Sequence, residues 1–432
     1  MVKESGLFWI SWKEKAWVPR LRYSISKRKT KRMILLNTDI KNKVLQSMMQ
    51  ILDSKRNEII AANQKDLDLF DKTDRAMYDR LIVDDKKVDG MIAAIHEVLQ
   101  QQDPVGKIKS EETLENGLKI ENKTAPFGTI MIIYESRPDV TIEAAVLAFK
   151  ANNKILLKGG KEAVNSNIVL EKCWHLALEQ NGLGTQWIQL LHMNREETQA
   201  FLRNPTEKLD LIVPRGGERL IAFVKEHAKC AVLVSGRGNN FLFVDKDADW
   251  AQSLEVILNA KTQKISACNA LDKILVDVNI DDYSNKIKEL NTILKEQGVS
   301  VVVDSKVAEL LPENAVVKED SIWYEEFLAM KCVVGAVEDL EAAVQKINNY
   351  SGGHSATIMT QNKELAMEFM DQVDSAAIYH NASTRFTDGG QMGVGAELAI
   401  STDKLHHRGP LGLEQLVTNK YYVYGDGQVR MS

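Results

Sequence analysis

The sequence has no apolar run approaching the roughly twenty residues needed to cross a bilayer, and no hydrophobic signal core follows its basic start. It has few cysteines. Cys173, Cys230, Cys268 and Cys332 lie far apart with no C-x-x-C pair, which excludes a zinc framework and a disulfide scaffold. Free thiols fit a reducing compartment, so a cytoplasmic protein is expected, with no membrane partner. Charge of one sign is also lacking. A net charge of −5 over 432 residues gives no reason to expect nucleic acid. There is no internal repeat and no low-complexity tract. The G-x-G-x-x-G fingerprint of many dinucleotide sites is missing too: SGRGNN (235–240) begins like one but runs into strand-like NFLFVD, with no helix to receive a pyrophosphate.

What is there is an ordinary globular composition, 44% hydrophobic and 27% charged, in a chain long enough for two or three domains. Residues 1–33 differ from the rest. They hold ten Lys or Arg against two Glu, and three of the seven Trp (Trp9, Trp12, Trp17). This basic N-terminal extension reads as an over-extended or variant start ahead of Met33, and its deletion is expected to leave activity intact.

From Thr38 the pattern is helical, with Ile40, Val44, Met48, Ile51 and Leu52 at helix spacing and Thr38 or Asp39 as cap. The segment 117–128 alternates between Gly and Pro boundaries and reads as a strand or hairpin arm. After Gly128, apolar strands alternate with helices: 129–135, 154–159, 187–191, 209–214, 231–236 and 240–245. A second set follows at 273–278, 299–304, 331–337, 356–360 and 376–381. Such alternation predicts an α/β protein whose parallel sheets are covered by helices. The polar stretch DKDAD places a domain boundary near 246–250.

Two Gly pairs sit between a strand and a helix, KGGKE (158–162) and PRGGERL (214–220). There, backbone amides and a helix N-terminus can meet a phosphate, and Lys158, Lys161 and Arg215 add positive charge; a plain strand–helix turn explains most such Gly pairs. Among the cysteines, Cys173 lies in a helical run, and Cys230 and Cys332 open apolar strands. Cys268 stands in the polar, small-residue loop KTQKISACNALDK. Lys261 and Lys264 would favour its thiolate if they point inward, and Asn269 offers an amide donor.

Several stretches together carry a resemblance: IYESRPDVTIEAA (133–145), LLKGGKEAVNSN (156–167), DLIVPRGG (210–217), NAKTQKISACNAL (259–271), NASTRFTDGG (381–390) and GAELAISTDKLHHRGPLGLEQL (395–416). They resemble the glutamate-5-semialdehyde dehydrogenases, or gamma-glutamyl phosphate reductases, a family of the aldehyde dehydrogenase superfamily. The likeness runs in order from about residue 34 to residue 431. It implies an aldehyde dehydrogenase-like fold with a Rossmann-like NADPH-binding domain (34–247), a catalytic domain (248–395) and a C-terminal segment (396–432) that returns to the cofactor domain. A small oligomerisation extension would join an arm near 113–127 to a late strand near 418–425.

The resemblance implies NADPH-dependent reduction of L-glutamyl 5-phosphate to glutamate 5-semialdehyde, the second step of proline biosynthesis, through a thioester on Cys268. Cys268 and Asn269 would be catalytic. Lys158, Gly159, Lys161, Arg215, Gly216, Gly217 and Glu326 would face the cofactor. Arg137, Ser383, Thr384 and Arg385 would bind substrate, with Arg385 on the α-carboxylate, Asp388 on the ammonium, and Arg137 either on the departing phosphate or in a structural salt bridge. The Cys268 amide is one expected oxyanion donor, and the second stays open among Glu135, Ser136 and Arg137. Homo-oligomers and a transient contact with glutamate 5-kinase are further expectations. His406 and His407 are adjacent with no third partner in view, so no metal is expected.

Departures from the family pattern are Asn240-Phe241 where Cys-His is usual, Ala356 where an acid is usual, and Lys346 where a His is usual. Hydrolytic aldehyde dehydrogenases carry a water-activating Glu where this chain has Val234. That speaks against the main alternative, NAD-dependent hydrolytic oxidation. Cys268 speaks against a second, a catalytically silent scaffold.

Overall fold

A computed structural model describes residues 34–430; the basic extension 1–33 lies outside the described residues. Residues from Ile34 onward form one compact unit. The first helix, Thr38–Ser54, buries Val44, Leu45, Met48 and Leu52 completely, as their spacing predicts. Its cap is Asn37, not Thr38 or Asp39: the Asn37 side chain accepts from the Ile40 amide at 2.9 Å. The helices that follow pack with it against Val140–Lys150 and Val164–Gln180.

Strands β1 (Ile108–Thr113) and β2 (Lys119–Pro126) form the arm. Strands β3 (Thr129–Tyr134), β4 (Lys154–Lys158), β5 (Ile188–Leu190), β6 (Leu211–Arg215) and β7 (Ala231–Val232) make a parallel five-stranded sheet in the order β5-β4-β3-β6-β7. The chain winds outward from β3 in one direction and returns to β6 on its other side. The gap between the carboxyl ends of β3 and β6 is therefore a topological switch point, where such sheets receive ligands. Tyr134 pairs there with Arg215.

The second parallel sheet has seven strands: β8 (Asn240–Val244), β9 (Leu271–Asp277), β10 (Ser300–Val303), β11 (Ala315–Val316), β12 (Lys331–Val337), β13 (Ser355–Met359) and β14 (Ala377–His380), in the order β11-β10-β12-β9-β8-β13-β14. Every residue of β8 is buried, and β8 pairs with β9 and β13. The chain thus changes sheets between Val232 and Asn240, ahead of the junction expected near 246–250. A hairpin follows, β15 (Glu397–Ser401) with β16 (Gly409–Gly412), and a Ser235–Ser401 bridge ties it to the segment between the two sheets. The last strand, β17 (Val417–Tyr424), joins β2 and β1 in a three-stranded antiparallel sheet. No helix among the described residues is long and apolar enough to cross a membrane.

Candidate active site

The nucleophile loop begins where the helix Trp250–Thr262 ends. Lys261, in its last turn, points inward but away from the thiol. It is fully buried and pairs with Asp272 Oδ1 at 2.9 Å, while Asp272 Oδ2 accepts from the Phe327 amide at 2.9 Å. Lys264 is exposed. Neither lysine serves Cys268, contrary to the expectation from spacing.

The Cys268 backbone is clamped instead. Asn240 Nδ2 donates to the carbonyls of Cys268 (2.8 Å), Ala270 (2.7 Å) and Gly238 (2.9 Å). Gly238 lies so close that a Cβ there would stand 1.9 Å from the Cys268 carbonyl oxygen and 2.6 Å from its Cα. Here glycine is required by close approach. Asn269 is a positioning residue rather than an open donor. It is buried, and its Nδ2 donates to the carbonyls of Arg385 (3.2 Å) and Thr387 (2.9 Å). In return Thr384 Oγ1 donates to the Asn269 carbonyl at 2.8 Å. The loops 263–270 and 381–388 are thereby sewn together.

All four thiols are free. Cys173 and Cys332 are buried, and burial pushes both up to about 12. Cys268 is partly exposed. Burial of its sulfur, then the Glu397 and Glu326 carboxylates, push it up to about 11, and Arg215 opposes them. Arg137 and Arg385 also feel the Cys268 charge. Three guanidiniums from distant parts of the sequence are therefore electrostatically coupled to one sulfur. Glu397, which sequence reasoning passed over, opens β15 and accepts from the Gly389 amide at 2.8 Å. Burial and Asp388 push it up to about 7. Its only sequence signal was its place inside the GAELAIS stretch.

The cofactor-side residues fall into two groups. Lys158 ends β4, half-buried, with Nζ donating to its neighbour's carbonyl at 2.7 Å; burial lowers its pKa against the pull of Glu162. Gly217 caps the helix Glu218–His227 with no side-chain cap, and a Cβ there would meet nothing within 4 Å. Glu326 is pushed up to about 7 by burial and Asp272, with the Gly238 amide donating to it. A cation, an uncapped helix start and a carboxylate fit a dinucleotide's phosphates and ribose hydroxyls. The other residues are more occupied. Gly159 packs against Asn167 and Tyr134, and Gly216 against Glu135 and Leu220. Lys161 is exposed in a short 3-10 turn.

Of the substrate-side residues, Ser383 and Thr384 are buried and serve their own loop: the Ser383 hydroxyl accepts from the Arg385 amide at 3.3 Å. Asp388 likewise accepts from the amides of Gly390 (3.0 Å) and Gln391 (3.2 Å). Arg385 differs. Its Nε donates to Gln263 at 3.0 Å, but its Nη1 is buried with no partner among the described residues. It lines a cavity of about 260 Å³ with Asn259, Gln263, Phe386, Asp388 and Gln391. Arg137 makes a long contact to Asp139 at 3.4 Å, which Lys87 also holds at 2.7 Å. Ser136, at φ 39°, spends both its amide and its hydroxyl on Glu162 (2.6 and 2.9 Å). It is therefore no oxyanion donor in this arrangement. His406 and His407 face the carbonyls of Gln415 (3.3 Å) and Pro410 (2.7 Å).

A parallel five-stranded sheet with a switch-point crevice, a seven-stranded parallel sheet and a free thiol in a clamped loop define the aldehyde dehydrogenase class of fold and site. The aldehyde dehydrogenase family profile matches residues 285–397. A methanogen glyceraldehyde-3-phosphate dehydrogenase, from Methanocaldococcus jannaschii and complexed with NADP, superposes at a TM-score of 0.63 with 16% identity over 91% of each chain; at that identity the likeness is one of fold. The gamma-glutamyl phosphate reductase of Nautilia profundicola is 40% identical over 397 residues, covering 91% of this chain and 96% of its own. The solved gamma-glutamyl phosphate reductase of Thermotoga maritima is 39% identical at a TM-score of 0.87, covering 92% and 95%. The chain belongs to the gamma-glutamyl phosphate reductase family.

Proposed function

We propose that the chain reduces L-glutamyl 5-phosphate to L-glutamate 5-semialdehyde with release of phosphate, the second step of proline biosynthesis, using NADPH. The observation that carries this reading is a free thiol in a clamped loop together with two guanidiniums, Arg215 and Arg385, that each keep a buried Nη1 without a partner among the described residues, a setting suited to a substrate with an anion at each end.

A thiol at about 11 is ionised to only about one part in 10,000 at pH 7. Attack therefore needs a proton acceptor, and Glu326 and Glu397, both pushed up to about 7, are the carboxylates whose charges bear on the sulfur. Cys268 attacks the acyl carbon, phosphate departs, and a thioester stands on the sulfur. When bound, the nicotinamide supplies the hydride. The Cys268 amide, its peptide neighbour held by Asn240, steadies negative charge on the carbonyl oxygen. Cys268 then leaves as thiolate and the aldehyde is free. Val234 is buried where a hydrolytic relative needs its base, so nothing there activates water.

Lys158, Gly217 and Glu326 are assigned to the cofactor, and Arg385 to the α-carboxylate. The protein is cytoplasmic in this reading and homo-oligomeric through the β1-β2-β17 sheet. In support, all of β1 is exposed, as are Tyr421, Val423 and Tyr424 on β17. Transient contact with glutamate 5-kinase would shorten the life of a labile acyl phosphate in water.

The test runs the reaction backwards, following NADPH absorbance from semialdehyde and NADP with and without phosphate. Phosphate-dependent formation that disappears in Cys268→Ala is expected. Turnover without phosphate would mean a hydrolytic dehydrogenase, and turnover in Cys268→Ala would mean a different nucleophile.

A further inference from the structure

Arg215 was expected on the cofactor because it stands in a Gly-rich turn. Its surroundings point elsewhere. It is the last residue of β6, directly across from Tyr134 at the end of β3, so it stands in the switch-point crevice. Its Nη1 is buried without a hydrogen-bond partner among the described residues. The charges within electrostatic reach of its guanidinium are Arg137, Glu143, Asp139, Glu397 and Cys268. Three of these are already engaged: Asp139 with Lys87 and Arg137, and Glu397 with the Gly389 amide; Glu143 makes no ion pair with Arg215 among the described residues. A guanidinium kept with an open donor in a buried crevice is poised for an anion brought from outside.

Which anion is decided by distance along the ligand. Both the attack and the hydride transfer occur at the carbon bonded to the Cys268 sulfur. In the acyl phosphate that carbon is one oxygen away from phosphorus, so the phosphoryl oxygens lie beside the sulfur at the moment of attack. In a nicotinamide dinucleotide, the phosphates are a whole ribose or more away from the ring carbon that meets the same centre. A cation within reach of the sulfur thus suits the first phosphate and not the second. Arg385 shows the same unpartnered Nη1, from the loop that Asn269 ties to the nucleophile. Two open guanidiniums on separate elements, the end of β6 and the 384–386 turn, match the two anionic ends of one substrate.

We propose that Arg215, with Arg137 beside it, anchors the phosphoryl group of the acyl phosphate and steadies it as it leaves, rather than holding the cofactor. This rests on the acyl-phosphate reading above. In the forward step the sulfur–carbon bond forms and the carbon–oxygen bond to phosphate breaks. The electron pair goes to the phosphate oxygen, and the thiol proton passes by way of Glu326 or Glu397 to the departing phosphate. Nothing is oxidised until the later hydride transfer.

Reverse-direction kinetics separate the ligands, with KM measured for phosphate, semialdehyde and NADP in the parent, Arg215→Gln, Arg215→Lys and Arg137→Gln. Arg215→Gln should raise the KM for phosphate at least tenfold, with those for NADP and semialdehyde within twofold, and Arg215→Lys should recover part of the loss. Inorganic phosphate should also slow alkylation of Cys268 by iodoacetamide in the parent and not in Arg215→Gln. An unchanged phosphate KM, or a rise confined to NADP, overturns the proposal. If Arg215 variants fail to fold, Arg137→Gln decides, because an unchanged phosphate KM there overturns the shared anchor. A parent that needs no phosphate at all would instead sink the acyl-phosphate reading itself.

Discussion

Asn269 Nδ2 donates to the Thr387 carbonyl at 2.9 Å, so the residue after the nucleophile is tied to the loop that follows Arg385. A second bond to the Arg385 carbonyl and the return bond from Thr384 close the tie. Nucleophile and substrate loop therefore move as one piece, and loss of this amide should be felt in both stability and rate.

Asn269→Ala leaves the buried Thr387 carbonyl and the part-buried Arg385 carbonyl short of a donor, a cost of about 1–3 kcal/mol, and frees the loop under Cys268. Asn269→Asp sets a carboxylate against the same two oxygens and should cost more. Urea unfolding should rank the stabilities parent, then Ala, then Asp, and kcat should fall in both variants. An Asp variant as stable as the parent would contradict the hydrogen-bond assignment.

The thiol's elevated pKa has a named electrostatic source beyond burial, Glu397. Removing that negative charge lowers the cost of a thiolate. The pH midpoint of Cys268 alkylation should lie near 11 in the free parent and move lower in Glu397→Gln, with faster labelling at pH 9. An unmoved midpoint would put Glu397 out of reach of the sulfur.

His354 is fully buried, with Nδ1 beside the Ser355 hydroxyl at 2.8 Å, and burial pushes its pKa from 6.5 down to about 4. In the unfolded chain the imidazole takes its proton near its ordinary value, while the folded protein resists it. Stability from this group is full above pH 6.5 and is lost as pH falls toward 4, by about 3 kcal/mol in all. Glu326 and Glu397, raised in the fold, slope the other way as pH rises, so the parent must be read against His354→Asn. The stability difference between them should shrink steadily from pH 6.5 to 4, and a constant difference would refute the buried neutral imidazole.

The strands were legible because an apolar run between polar turns survives any packing arrangement. Which sheet a run joins was not: β8 is buried on both faces, and such a strand looks alike in either parallel sheet. Cys268 stood apart from the other cysteines by its small, polar neighbours, but its role as nucleophile came only from the family resemblance. Its electrostatics were not legible, because they depend on residues such as Arg215, Glu326 and Glu397, far apart in the chain. Lys261 is seven residues from the thiol in sequence yet belongs to Asp272. Asn269 and Thr384 carry family-like motifs, but linear spacing could not reveal that they bond each other's loop rather than a ligand. The open Nη1 atoms of Arg215 and Arg385 are properties of packing alone.

Two glycines near the site should respond in opposite ways to the same added methyl group. At Gly238 the new Cβ would meet Cys268 backbone at 1.9–2.6 Å, and backbone cannot rotate aside as a side chain can. The nucleophile loop must shift, and displacement of a reacting atom by about 1 Å costs roughly a hundredfold in rate. Gly238→Ala should therefore lose kcat, with little change in the KM for NADPH. At Gly217 the methyl meets nothing within 4 Å, so the folded chain accepts it. The methyl would stand at the N-cap of the helix assigned to the cofactor. Gly217→Ala should unfold at the parent's temperature while its KM for NADPH rises severalfold and its kcat holds. If Gly217→Ala binds NADPH as the parent does, the phosphates lie elsewhere, and the helix start at 217 has to be given up as their seat.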